Sequence, residues 1–115
     1  GAFCMQKQYG LFTREEVVNV PHQSGVYLVF NNKEFPRLKG KTKIVYIGTA
    51  TNLYKRLTGR RNALPRFTTL RKNGFVLTFK FYTTETREKA RELEAKKLRM
   101  FERKHLELPP LNHAN

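Results

Sequence analysis

The sequence predicts a small α/β domain of the α+β kind, with three short strands among helices, and three observations carry that reading. Residues 75–82 alternate strictly: Phe75, Leu77, Phe79 and Phe81 fall on one face, and Val76, Thr78, Lys80 and Tyr82 on the other. Two further apolar runs, residues 25–30 and 44–48, each place one tyrosine among β-branched and aliphatic neighbours. Residues 85–105 repeat apolar side chains at helical spacing behind Thr84, a good N-cap. With 115 residues the chain has the usual size of one domain with one modest core, and residues 1–115 are taken as a single domain.

Taken in order, residues 1–12 offer Phe3, Tyr9, Leu11 and Phe12 as anchors without a period, and are expected to be irregular. Thr13 and Glu16 have the spacing of a capping box ahead of Val17 and Val18, which predicts a short helical turn ending before Pro21. In the first strand, Val26, Leu28 and Phe30 point one way, and Tyr27 and Val29 the other. Residues 31–42 follow as a connection far longer than the ~2–5 residues of an ordinary hairpin loop. With Lys43 it carries five bases, including Lys39 and Lys41, and reads either as a flap that touches a nucleic-acid backbone or as a solvated loop. The second strand, residues 43–47, sets Ile44 and Tyr46 on one face and ends at Gly48. Thr49 or Thr51 then caps a short helix that buries Leu53 and Leu57 and stops at Gly59. Residues 62–72 form another, with Pro65 in its first turn, Leu64, Phe67 and Leu70 facing inward, and Asn73-Gly74 closing it. In the tail, Pro109-Pro110 forbids helix.

Charge narrows the function classes. Lys and Arg total 23 against 9 acids, a formal +14, and there is no Asp. Between Phe35 and Thr84 lie twelve bases and no acid, an imbalance that attracts polyanions. The bases are spread over several elements rather than along one amphipathic helix, which argues against a membrane-surface role. No apolar run approaches the ~20 residues of a membrane span. The single cysteine, Cys4, excludes an internal disulfide framework, and an intracellular protein, cytoplasmic or nucleoid-associated, is the simplest expectation. Two-metal nucleases need several converging carboxylates. The central segments offer none, so a catalytic site here has to lean on Arg, Lys and Tyr with few acids.

One acid stands out on the long helix. At ~100° per residue with Ala90 as zero, Leu93 falls at about −60°, Lys97 at about −20°, Phe101 at about 20° and Leu98 at about 80°. Glu94, at about 40°, lies inside that apolar sector, while Glu88, Glu92 and Glu102 lie well outside it. A carboxylate there is costly unless it pairs with an arginine or binds a metal, and both readings stay open. Tyr27, Tyr46, Arg56, Glu94 and Asn112 are the residues left without an easy structural explanation.

Gly25-Val26-Tyr27 followed by Tyr46-Ile47-Gly48 resembles the signature of the GIY-YIG nuclease superfamily. Arg56 stands ten places after Tyr46 with Asn52-Leu53 between, Ala90-x-x-Leu93-Glu94-Ala95 is similar to the family's metal-binding helix, and Pro109-Pro110-Leu111-Asn112 resembles its closing Pro-x-x-Asn. The resemblance covers a core of about residues 20–112, in the family's order. It implies a small three-stranded antiparallel sheet flanked by helices, and divalent-metal-dependent hydrolysis of a nucleic-acid phosphodiester, with DNA favoured. It further implies that Glu94 ligates one Mg²⁺ (or Mn²⁺), that Tyr27 or Tyr46 orients or deprotonates the attacking water, with the first, Tyr27, favoured, that Arg56 stabilises phosphate charge and that Asn112 positions groups around the site. For the tyrosine to act as a base its high pKa would have to be lowered by nearby positive charge, which Arg56 and its neighbours are expected to supply. Thr49, Asn52, Arg60, Arg61, Lys39 and Lys41 are the candidate substrate contacts. The gap between the tyrosines is longer than in compact members. Thr49 stands where UvrC-type repair domains carry Lys and is more like the homing endonucleases. Arg60 stands where many members have His or Tyr, which puts the proton relay in question. Two other classes compete with an active endonuclease. A non-catalytic nucleic-acid-binding module would need only the bases, and a basic ribonucleoprotein-type structural protein would leave Glu94 unexplained. Nothing in the chain resembles a recognition module, which leaves two readings open: a stand-alone nuclease, or a piece of a DNA repair, mobile-element or restriction protein in which a further recognition domain or partner protein chooses the target.

Overall fold

A computed structural model describes residues 7–11, 14–59 and 65–112. Among them the chain forms β1 (Lys7–Leu11), α1 (Arg14–Val17), β2 (Gly25–Pro36), β3 (Lys41–Ala50), α2 (Leu53–Thr58), α3 (Pro65–Lys72), β4 (Leu77–Thr83) and α4 (Arg87–His105). The strands make one antiparallel sheet in the order β1-β4-β2-β3. The three expected strands are β2, β3 and β4. The irregular N-terminal stretch proves to contain a fourth, β1, which pairs Lys7 with Tyr82 through Leu11 with Thr78 along the outer edge of β4. A short segment interrupted by Gly10 has weak strand preference. The open ladder of β4 supplies its backbone partners instead.

Both faces of the sheet are covered. Tyr27, Val29, Val45, Phe79 and Phe81 pack with Val17, Leu53, Leu57 and Phe67 beneath α1, α2 and α3. Val26, Leu28 and Ile47 pack with Ala90 and Phe101 beneath α4, with Leu93 and Leu98 at the margin. The alternation read for β2 and β4 and the apolar sector read for α4 are therefore as expected. The face of β3 is not. Val29 pairs with Tyr46 but Phe30 pairs with Ile44, so Val45 is an extra residue, a β-bulge. Regular pairing from Tyr27–Gly48 to Val29–Tyr46 keeps Tyr46 on the side of Tyr27, and the bulge beyond it puts Ile44 on the side of Phe30, opposite to Tyr46.

Three boundaries move for reasons of hydrogen bonding. β3 continues through Gly48 to Ala50, Thr49 pairs with Val26, and the N-cap of α2 is Asn52, whose side chain accepts from the Lys55 amide at 2.9 Å. Thr84 does not cap α4. Its amide donates to the Ser24 carbonyl at 2.9 Å and its own carbonyl accepts from the Ser24 hydroxyl at 3.0 Å, which carries the β2–β4 pairing one step further. Thr86 caps instead, accepting from the Lys89 amide at 3.1 Å. The α2–α3 connection and the early part of the expected 62–72 helix, Leu64 included, lie outside the described residues, as does Thr13.

The long basic connection is neither a flap nor a loop. β2 and β3 extend into a hairpin arm that turns over residues 37–40, with Gly40 at φ +74° and the Arg37 amide donating to the Gly40 carbonyl. Its tip is tied to the end of α4. The Lys39 amide donates to the His105 carbonyl at 3.0 Å, and the buried His105 ring meets the Lys39 carbonyl through Nδ1 at 2.9 Å. Arg37 donates to the Leu108 carbonyl and pairs with Glu107 at 3.3 Å, and Glu107 also accepts from the Leu38 amide. The last carbonyls of a helix lack intrahelical partners, and this hairpin satisfies one of them.

The capping assignment is checked by melting Thr86→Ala and Thr86→Asn variants. The alanine variant is expected to lose ~1 kcal/mol and melt several degrees lower, whereas asparagine, itself a good cap, keeps the wild-type midpoint.

Candidate active site

The site begins with two tyrosines and a glycine. Tyr27 pairs across the ladder with Gly48, one step from the Val29–Tyr46 pair, so both rings lie over the same face with centroids 5.9 Å apart. A Cβ at position 48 would lie 2.7 Å from Tyr27 Cζ and from Tyr46 Cε2, far inside van der Waals contact. Only glycine leaves that space. Tyr46 is braced from its other side by Phe67 of α3, edge-on at 5.7 Å. The backbone between Tyr46 and Gly48 is held from the sheet edge. The Asn112 side chain accepts from the Ile47 amide and donates to the Ile47 carbonyl, both at 2.9 Å, as a further strand would. Leu111 continues this by donating its amide to the Val45 carbonyl at the bulge.

Charges reach this frame from both layers of helices. Tyr27 is 2% exposed, and burial raises its phenol pKa well above the ordinary value. The neighbouring Tyr46, including a hydrogen bond to it, and the charge of Glu94 act in the same direction, and Arg56 opposes them without prevailing. The expectation that positive charge would lower this pKa is thus corrected: desolvation of the buried phenolate is the larger effect. Glu94 is half-buried. Burial raises its carboxyl pKa, while Arg91 and Arg56 pull it down. Among the described residues Glu94 makes no ion pair within 4.0 Å and no side-chain hydrogen bond, so the salt-bridge reading has no support there. These mutual influences place Tyr27, Tyr46, Arg56 and Glu94 in one electrostatic cluster, with Asn112 behind its β3 wall.

The other candidates distribute differently. Thr49 sits in β3 and donates its hydroxyl to the Gly25 carbonyl at 3.2 Å, and Asn52 is committed to the α2 cap. Lys39 and Lys41 are exposed at the hairpin tip beside His105, which lies eleven residues, or ~16 Å of helix, beyond Glu94. The structure does not bring them to the tyrosines. Arg60 and Arg61 lie outside the described residues. Two residues went unnoticed in the sequence. Arg87 and Arg91 of α4 line a polar cavity of about 150 Å³ together with Arg56, Thr49, Ala50 and Thr51. On the same helical wheel they fall at about 60° and 100°, beside Glu94, and that spacing was the available signal.

The tyrosine pair over Gly48, the arginine of α2 and the lone carboxylate of α4 fit the pattern seen in the sequence, and an independent comparison decides the matter. The family model described as the GIY-YIG catalytic domain matches residues 23–106. The chain belongs to the GIY-YIG family. No curated protein and no solved structure matches it. GIY-YIG domains are nucleases, so membership implies a nucleic-acid substrate. Asn112 lies beyond the matched span, and its place in this GIY-YIG domain rests on the two hydrogen bonds to Ile47.

GIY-YIG nucleases are typically dependent on a divalent metal. Among the described residues no group of three or more His, Cys, Asp and Glu side chains converges, so a cage made wholly of protein ligands does not fit. Mg²⁺ is commonly held by one or two carboxylates, several waters and substrate phosphate oxygens. A single half-buried, unpaired carboxylate is the donor set that arrangement calls for, and Glu94 provides it.

Two measurements probe this geometry. Gly48→Ala forces a methyl between the two rings and is expected to cost about 1–3 kcal/mol, read as a lower midpoint in thermal melting. A midpoint equal to wild type would mean that the rings are not packed over Gly48. Glu94 has a raised folded pKa, so its contribution to stability is fully present below the ordinary value of 4.5 and is lost as pH rises through the folded value. Ionised Glu94 therefore weakens the fold at neutral pH. Glu94→Gln should melt above wild type at pH 7, with the gap closing as the pH falls towards 4.

Proposed function

We propose that this domain is a divalent-metal-dependent endonuclease that hydrolyses phosphodiester bonds, with DNA as the favoured substrate. The observation that carries the reading is the unpaired carboxylate of Glu94 set beside Arg56 and a tyrosine pair of which Tyr27 is buried. A protein that merely bound nucleic acid would gain nothing from a half-buried carboxylate in a basic site, because ionising it there costs stability.

In this reading Glu94 holds Mg²⁺ or Mn²⁺, which when bound supplies Lewis-acid polarisation of the scissile phosphate. Arg56, exposed on α2, faces the phosphate and offsets charge as it builds on the non-bridging oxygens. Tyr46, the more open of the pair, orients the attacking water. Tyr27 keeps its proton, because its pKa is raised, and acts as the hydrogen-bonded backing of Tyr46. The water oxygen forms a bond to phosphorus and releases its proton to solvent, the ester P–O bond opposite it breaks, and the leaving oxygen takes up a proton from solvent. Asn112 holds Ile47, and through it the backbone that carries Tyr46 and Gly48. Selection of the target, in a repair or mobile-element setting, is assigned to a further recognition domain or partner.

The test is cleavage of supercoiled plasmid, branched duplex, single strands and RNA by the purified protein and by Glu94→Ala. The wild type should nick DNA with Mg²⁺ or Mn²⁺ and stop with EDTA. Glu94→Ala should bind the same DNA with similar affinity and cut it at least ~10²-fold more slowly. Cutting by Glu94→Ala at the wild-type rate would overturn the assignment.

A further inference from the structure

Arg87 and Arg91 stand one helical turn apart at the start of α4, and with Arg56 of α2 they line a cavity of about 150 Å³. Thr49, Ala50 and Thr51 form the rest of its wall, and no acid lines it. Among the described residues none of the three guanidinium groups has an ion pair or a side-chain hydrogen bond. All three are exposed, and three like charges lining one small space make it attractive to an anion. The guanidinium fork matches phosphate oxygens in a two-point fashion that lysine does not reproduce. The cavity, about 150 Å³, has room for a phosphate group and water around it.

The cavity also has a fixed relation to the hydrolytic cluster. Arg56 lines it and acts electrostatically on both Tyr27 and Glu94, and Arg91 acts on Glu94. We infer that this cavity binds a second phosphate of the substrate, the neighbour of the scissile one on the same strand, with Arg87 and Arg91 as positioning residues and Arg56 shared between the two phosphates. The inference rests on the nuclease reading above and adds to it where the strand is gripped. Holding a neighbouring phosphate fixes the register of the strand without supplying sequence information. It is binding made equally in ground and transition states, so it governs KM rather than kcat.

The test has an arm that needs no catalysis. Inorganic phosphate is titrated into the full chain while the melting midpoint and the arginine side-chain N–H signals are followed by NMR. The wild type should gain stability in one saturable step and shift the Arg87 and Arg91 signals. The Arg87→Gln/Arg91→Gln double variant should lose both effects, and Glu94→Gln should keep both. In cleavage assays each single glutamine variant should raise KM ~10-fold or more with kcat changed by less than ~3-fold, and the lysine variants should fall between. The salt slope of binding should fall by about one for the pair. Equal stabilisation of the double variant by phosphate, or a loss of kcat at constant KM, overturns the proposal. A wild type that cuts nothing but keeps arginine-dependent phosphate binding upholds the anion site and overturns only the nuclease reading. Far-UV circular dichroism confirms that each variant is folded before it is scored.

Discussion

The site depends on how closely two tyrosine rings can approach a strand that faces them. Tyr27 and Tyr46 share one face because the ladder runs without a shift from Tyr27–Gly48 to Val29–Tyr46, and they fit there because position 48 has no side chain. A one-residue slip of β3 in that stretch would turn Tyr46 to the α4 side, and any residue but glycine at 48 would push the rings apart. The supports around the pair follow from that arrangement. Phe67 braces Tyr46, and the Asn112 amide takes over the free hydrogen-bonding groups of Ile47 on the edge strand. An edge strand with unpaired groups is otherwise a place where register slips. Here a side chain closes the edge at the point where register decides which residues meet.

The sheet supplies the tyrosine pair, and the helices bring the charges. Burial holds the proton on Tyr27, while Arg56 arrives from α2 and Glu94, Arg87 and Arg91 from α4. Glu94 bears the cost of this design, since its ionised form is disfavoured where it sits. Functional sites commonly give up stability in this way, and the rest of the core has to offset it.

The basic hairpin shows that charge and role can separate along one chain. Its backbone and Arg37 are occupied in holding the end of α4 and the tail, through His105, Glu107 and Leu108. That clamp leads directly into residues 109–112 and so into the Asn112 contact. Lys39 and Lys41 contribute field rather than contact at the tyrosines, since they stand near the far end of α4.

Local sequence determined the three central strands, the apolar sector of α4, the anomalous position of Glu94 and the order of the family motifs, because alternation, helical period and spacing are properties of the chain itself. It also singled out Tyr27, Tyr46, Arg56, Glu94 and Asn112 as candidates. Tertiary structure decided what depends on partners distant in sequence. β1 is a strand because β4 has an open edge, Thr84 is a ladder residue because Ser24 lies opposite, and Thr86 inherits the cap. The bulge at Val45 follows from register against β2, which no pattern within β3 reveals. The ionisation of Tyr27 was misjudged for the same reason: nearby positive charge can be counted along the chain, but the depth of burial that outweighs it exists only once both layers have packed.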